Sequence, residues 1–118
     1  MARNDESRIQ AAIVDYVRTC APQCIVAAVP NGGLRSKREA HLLKWTGVLA
    51  GIPDLFVLAP GGRTIFIEVK TDAGRMSPEQ TEMRARIEAL GFVSVICRSI
   101  NDARLVLMEC GIETREAA

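Results

Sequence analysis

Over the first twenty positions apolar residues fall at three- and four-residue steps. Ile9, Ile13, Tyr16, Val17 and Cys20 trace one face of a helix spanning about residues 5–20. CIVAAV, from Cys24 to Val29, has the length and content of a short strand, and Pro30-Asn31-Gly32-Gly33 closes it with turn-forming residues. A basic loop or short helix follows, to about Gly47. DLFVLA and RTIFIEVK then flank Pro60-Gly61-Gly62, two β-rich runs joined by a glycine-containing connection, which predicts a β-hairpin. Ser77-Pro78-Glu79-Gln80 opens the next helix with an N-cap serine, a proline at the first helical position and a capping-box glutamine, and Gly91 ends it. FVSVIC is a further strand, and Ser99 caps a last helix to about Glu109. The predicted order is α-β-β-β-α-β-α, a mixed α/β sandwich with helices packed on a central sheet.

At 118 residues the chain holds enough for one domain, expected over residues 1–110 with 111–118 as a frayed, acidic tail. Hydrophobic residues make up 48% and charged residues 25%, a globular mix. No run approaches the roughly 18 apolar residues needed to cross a bilayer, and MARNDESRIQ lacks the apolar segment of a signal peptide, so an intracellular protein is expected. Cys20, Cys24, Cys97 and Cys110 lack the paired spacing of a zinc site, and His41 is the single histidine. Buried thiols in a reducing compartment are the simplest reading. The net charge is only +1, but between Pro30 and Pro53 the residues Arg35, Lys37, Arg38 and Lys44 face Glu39 alone.

The hairpin carries the chemistry. With a loop of residues 60–62, Ala59 lies opposite Arg63, and the same register brings Asp54 opposite Glu68, their Cβ atoms roughly 5 Å apart. Along the second strand Ile65, Ile67 and Val69 face one way and Phe66, Glu68 and Lys70 the other, so Lys70 stands beside both acids. Two hard oxygen ligands with room for water and phosphate suit Mg²⁺ or Mn²⁺ better than zinc. Such an ion activates a water and neutralises charge on a phosphate, and a lysine beside it orients the water or stabilises the transition state. The plain alternative is a solvent-facing edge hairpin with Lys70 as a diagonal ion-pair partner. The apolar run around these charges speaks against it, because unpaired charges there are costly.

Other residues carry two readings each. Gln80 shares a helical face with Met83 and Ile87, which aims it at the sheet, yet the capping box alone explains it. Glu6 lies at the inward end of the first helix, yet acids in a first turn are also favoured by the helix dipole; Asp5 is the substitute if the face is off by one residue. Arg35, Lys37, Arg38 and Lys44, with Asn31, Gly32 and Gly33 admitting a phosphodiester to backbone amides, form a phosphate clamp or else a solvated loop. Aromatics are 4% of the chain, which leaves no stacking platform for single strands, and Trp45 is expected in the core. Backbone recognition of a duplex or junction fits better.

GIPDLFVLAPGGRTIFIEVKTDAGRMSPEQ resembles the core of the VRR-NUC family, a branch of the PD-(D/E)XK nuclease superfamily, and the resemblance extends from about Glu6 to Val106. It implies a restriction-endonuclease-like fold, metal ligation by Asp54, Glu68 and the carbonyl of Val69, Lys70 as the catalytic lysine, and Gln80 and Glu6 completing the site. It further implies a stand-alone Mg²⁺- or Mn²⁺-dependent deoxyribonuclease acting on branched DNA such as Holliday junctions, as a homodimer with two sites for two strands. A non-catalytic DNA-binding module of the same fold is the rival expectation.

Overall fold

The computed structural model describes residues 3–30 and 36–116. Helix α1 (Arg3–Cys20) carries Asp5 and Glu6 in its first turn, where the helix dipole favours acids. Strand β1 (Ile25–Ala28) follows, then helix α2 (Lys37–Trp45), the β2 (Leu55–Ala59) and β3 (Arg63–Val69) hairpin, helix α3 (Pro78–Ala89), strand β4 (Val93–Cys97) and helix α4 (Ile100–Glu109). The expected mixed sheet flanked by helices is present. One element is added to the expected order: the basic segment left open as loop or short helix forms α2.

The sheet runs β1-β2-β3-β4. The first three strands are antiparallel, and β3 and β4 are parallel, joined by the α3 crossover. In the hairpin Ala59 lies opposite Arg63 and Leu55 opposite Ile67, the register expected from a three-residue loop. Gly61 and Gly62 both take positive φ in that loop, a conformation glycine adopts without strain.

Alternation sorts the strands onto two faces. Leu55, Val57, Ile65, Ile67 and Val69 are buried with Ile13 and Val17 of α1 and Ala103 and Leu107 of α4, forming the main core. Each such side chain contributes roughly 1.5–3 kcal/mol by leaving water. On the other face α3 buries Met83 and Ile87, and Phe66 meets Phe92 edge to face at 5.8 Å. The capping box at Ser77 and Gln80 starts α3 where the sequence places it.

Two expectations fail. The segment after α4 is docked rather than frayed as far as Arg115: Ile112 is 4% exposed within the core, and the Arg115 amide donates to the Cys20 carbonyl at 2.8 Å. Trp45 is 79% exposed rather than in the core, because α2 buries none of its residues. Among the described residues no helix is long and apolar enough to cross a membrane, and all four cysteines are free thiols.

Candidate active site

Asp54 sits one position before β2, at the mouth of the hairpin. Its backbone carbonyl accepts from the Val29 amide at 2.8 Å, and its Oδ2 accepts from the Val69 amide at 2.8 Å. The acid is thereby tied to strands on both sides, which fixes its rotamer and leaves Oδ1 free of that bond.

Glu68 stands one position beyond the last hairpin pair, so the register that sets Leu55 opposite Ile67 also brings it to Asp54. It is 3% exposed. The Gln80 side-chain amide donates to its Oε2 at 2.9 Å, while Oε1 is buried with no hydrogen-bond partner. An orphaned carboxylate oxygen at this depth is costly unless a proton or a cation joins it. Burial, first, and then the neighbouring Asp54 charge push the Glu68 carboxyl up from 4.5 to about 8. Close side-chain contact with Asp54 adds to the rise. Lys70 pulls the other way and Glu6 adds further repulsion.

The remaining expected residues fall in three groups. Gln80 makes the expected cap and a second contact besides. Its amide oxygen accepts from the Ser77 amide at 2.9 Å in the capping box, and its amide nitrogen holds Glu68. Lys70 continues the parallel ladder, its amide donating to the Cys97 carbonyl at 3.1 Å, and its half-buried side chain lies close enough to stabilise the Glu68 charge. Glu6 rather than Asp5 acts electrostatically on Glu68. Lys37, Arg38 and Lys44 lie exposed on α2, and no hydrogen bond links them to the carboxylates; Asn31, Gly32, Gly33 and Arg35 lie outside the described residues.

Arg98 was missed. Its Nη1 donates to the carbonyls of Thr71 at 2.6 Å, Gly74 at 2.7 Å and Asp72 at 3.3 Å, pinning the turn that leaves Lys70. Nothing local in the sequence marks it, since the contact joins positions 24 to 27 residues apart.

For a cation the donors are two carboxylates, Asp54 and Glu68, with backbone carbonyl oxygen and water to complete the shell. Among the described residues no cluster of three or more His, Cys, Asp or Glu side chains is arranged to hold a metal. An all-oxygen set with few protein ligands fits Mg²⁺ or Mn²⁺, which keep several waters, and excludes a closed zinc site. The orphaned Glu68 Oε1 fits such an ion directly. A cavity of about 610 Å³ lies instead at the turn end of the hairpin, lined by residues that include Cys20, Arg63 and Arg115, away from this chemistry. A polymer substrate needs an open surface, so the cavity is no rival for the site.

A family model described as the VRR-NUC domain matches residues 1–101. A solved structure described as a VRR_NUC domain is similar at 24% identity over 89% of this chain and 95% of that chain, with a TM-score of 0.62. Another, a VRR_NUC domain protein, has 20% identity over 96% and 93% of the two chains, with a TM-score of 0.72. At these identities the likeness speaks for the fold. No curated protein matches the chain.

Proposed function

The chain belongs to the VRR-NUC family of nuclease-type, DNA-processing domains, and from that premise we propose that it is a metal-dependent endonuclease hydrolysing DNA phosphodiester bonds. One observation carries the reading: the buried Glu68 carboxylate, its Oε1 without a donor, faces Asp54 across the hairpin mouth. Two acids held together at such cost in repulsion are explained by a cation between them.

In this reading Asp54, Glu68 and the carbonyl of Val69 hold Mg²⁺ or Mn²⁺. When bound, the ion activates water for attack and neutralises charge on the scissile phosphate. Val69 keeps Asp54 aimed, Gln80 keeps Glu68 aimed, and Lys70 supplies a positive charge to the phosphate in the transition state. Glu6 adds negative potential that strengthens cation binding. Lys37, Arg38 and Lys44, together with Asn31, Gly32, Gly33 and Arg35, grip the backbone of the duplex. Branched DNA is the substrate class suggested by the resemblance, and a homodimer supplies one site per strand. Free thiols fit work inside the cell.

The test incubates purified protein with linear, nicked, flapped and four-way-junction DNA in Mg²⁺, Mn²⁺ or EDTA. Cleavage is expected with the metals alone, falling by roughly 10²–10³-fold in Asp54→Asn and Lys70→Ala. Equal cleavage by wild type and both variants would sink the assignment. DNA binding without cleavage under any metal would favour the non-catalytic module.

A further inference from the structure

The segment that delivers Asp54 to the hairpin passes directly over the first turn of α3. At Gly51 the backbone takes φ +83, and a Cβ built there would lie 2.4 Å from the Glu79 carbonyl oxygen, 2.6 Å from its carbon and 3.0 Å from the Gln80 nitrogen. All three are backbone atoms of a capped helix turn, so no side-chain rotation relieves the collision. The atoms met are those of the residue that holds Glu68 and its immediate neighbour.

Two sides of the site are therefore in van der Waals contact through this one position. Asp54 is three residues along the chain from Gly51, separated by Ile52 and the buried Pro53, whose ring restricts the backbone between them. Gln80 rides on the helix turn that Gly51 touches. A methyl group at position 51 forces one of them to shift, and the 2.9 Å bond from Gln80 to Glu68 stands next to that shift.

We propose that Gly51 is a positioning residue of the nuclease site: its missing side chain seats the Asp54 loop on the first turn of α3 and so sets where Gln80 stands against Glu68. The inference rests on the nuclease reading for its effect on rate, and on geometry alone for its effect on Gln80.

Gly47 supplies the control, because it has φ +112 and nothing within 4 Å of a built Cβ. Alanine at either position is held at an unfavourable positive φ, but only alanine at 51 meets the helix. Gly47→Ala is expected to cleave within about twofold of wild type per folded molecule. Gly51→Ala is expected to lose on the order of 10–100-fold in kcat with KM for DNA little changed. Adding Gln80→Ala to Gly51→Ala should cost less than Gln80→Ala costs alone, because both act on the bond to Glu68. Losses that multiply, or cleavage by Gly51→Ala equal to that of Gly47→Ala, would overturn the proposal.

A second readout is independent of catalysis. The side-chain amide resonances of Gln80 in ¹H–¹⁵N spectra should shift in Gly51→Ala and stay in place in Gly47→Ala; unchanged resonances in both overturn the proposal. If wild type cuts no DNA with any metal, the nuclease reading falls and these spectra still decide the positioning role. If Gly51→Ala does not fold, amide exchange in wild type takes its place. The amides of Gly51, Ile52 and Asp54 should open as one unit with those of Glu79, Gln80 and Thr81, and independent opening would refute the contact.

Discussion

The mouth of the hairpin and helix α2 are built on opposite principles. At the mouth every acting residue is tied by another: Asp54 by Val29 and Val69, Glu68 by Gln80, Gln80 by Ser77, and the turn beyond Lys70 by Arg98. Helix α2 is held by its own caps, Ser36 accepting from the Glu39 amide and Thr46 donating to the Leu42 and Leu43 carbonyls, and it buries no residue. Chemistry on a phosphate demands atoms fixed to a fraction of an ångström, whereas a grip on a phosphate backbone demands only charge and reach. Under the proposed function, the difference separates the part of the molecule that would make a rate from the part that would make contact.

The sharpest way to break the comparison is to relieve the strain at the mouth. The Glu68 carboxyl is raised from 4.5 to about 8 by burial and by Asp54. A carboxyl raised by folding contributes stability that is intact below about pH 4.5 and is lost as pH climbs through about 8, because the folded state must then hold two repelling anions. In EDTA, wild type should lose stability across that window while Glu68→Gln stays flat and exceeds it at pH 8.5. Added Mn²⁺ should raise the melting temperature of wild type alone, and Glu68→Gln should lose cleavage altogether. Thermal unfolding from pH 4 to 9 measures both. A wild-type profile as flat as that of Glu68→Gln would mean that neither burial nor Asp54 raises the Glu68 carboxyl.

How much of this was legible in the sequence depends on the range of the contact. Local rules reach the hairpin register, because a three-residue loop and strict alternation leave one pairing that buries Ile65, Ile67 and Val69. From that register follows the approach of Asp54 and Glu68. Gln80 was readable as a cap, and only the structure shows that its oxygen makes that cap while its nitrogen holds Glu68. Arg98 and Gly51 were unreadable in their roles, since the atoms they meet belong to distant turns that tertiary packing brings close. The same holds for the tail, where one buried Ile112 in a polar stretch decides against fraying. Trp45 misled for the converse reason: a large aromatic side chain is buried only when the chain supplies something to cover it.

A smaller effect tests the edge of the rigid region. Arg98 gives one guanidinium nitrogen to three carbonyls of the turn following Lys70. Arg98→Ala leaves those carbonyls to solvent and should lower stability by about 2 kcal/mol, the range for hydrogen bonds from a charged donor. Arg98→Lys should restore part of it, because an ammonium reaches fewer of the three. Denaturant unfolding reads the loss, and cleavage should fall with it as Lys70 is freed. A stable Arg98→Ala with full cleavage would show that the turn needs no clamp and that rigidity stops at Glu68.

The smallest effect on stability belongs to α2, and there the comparison makes opposite demands on two measurements. Lys37 and Lys44 are exposed on a helix with no buried residue, so replacing both with alanine removes charge but no packing. Unfolding free energy should stay within about 0.5 kcal/mol of wild type. DNA binding should weaken, and the slope of log affinity against log salt should become shallower by up to about 2, since each phosphate contact releases roughly 0.9 of a counterion. Cleavage at saturating DNA should be unchanged, because neither lysine is hydrogen-bonded to the carboxylate pair. An unaltered salt slope would remove α2 from the interface. A large loss of stability would instead mean that α2 packs on something in solution, and the exposed Leu42, Trp45 and Leu49 would be the surface that does so.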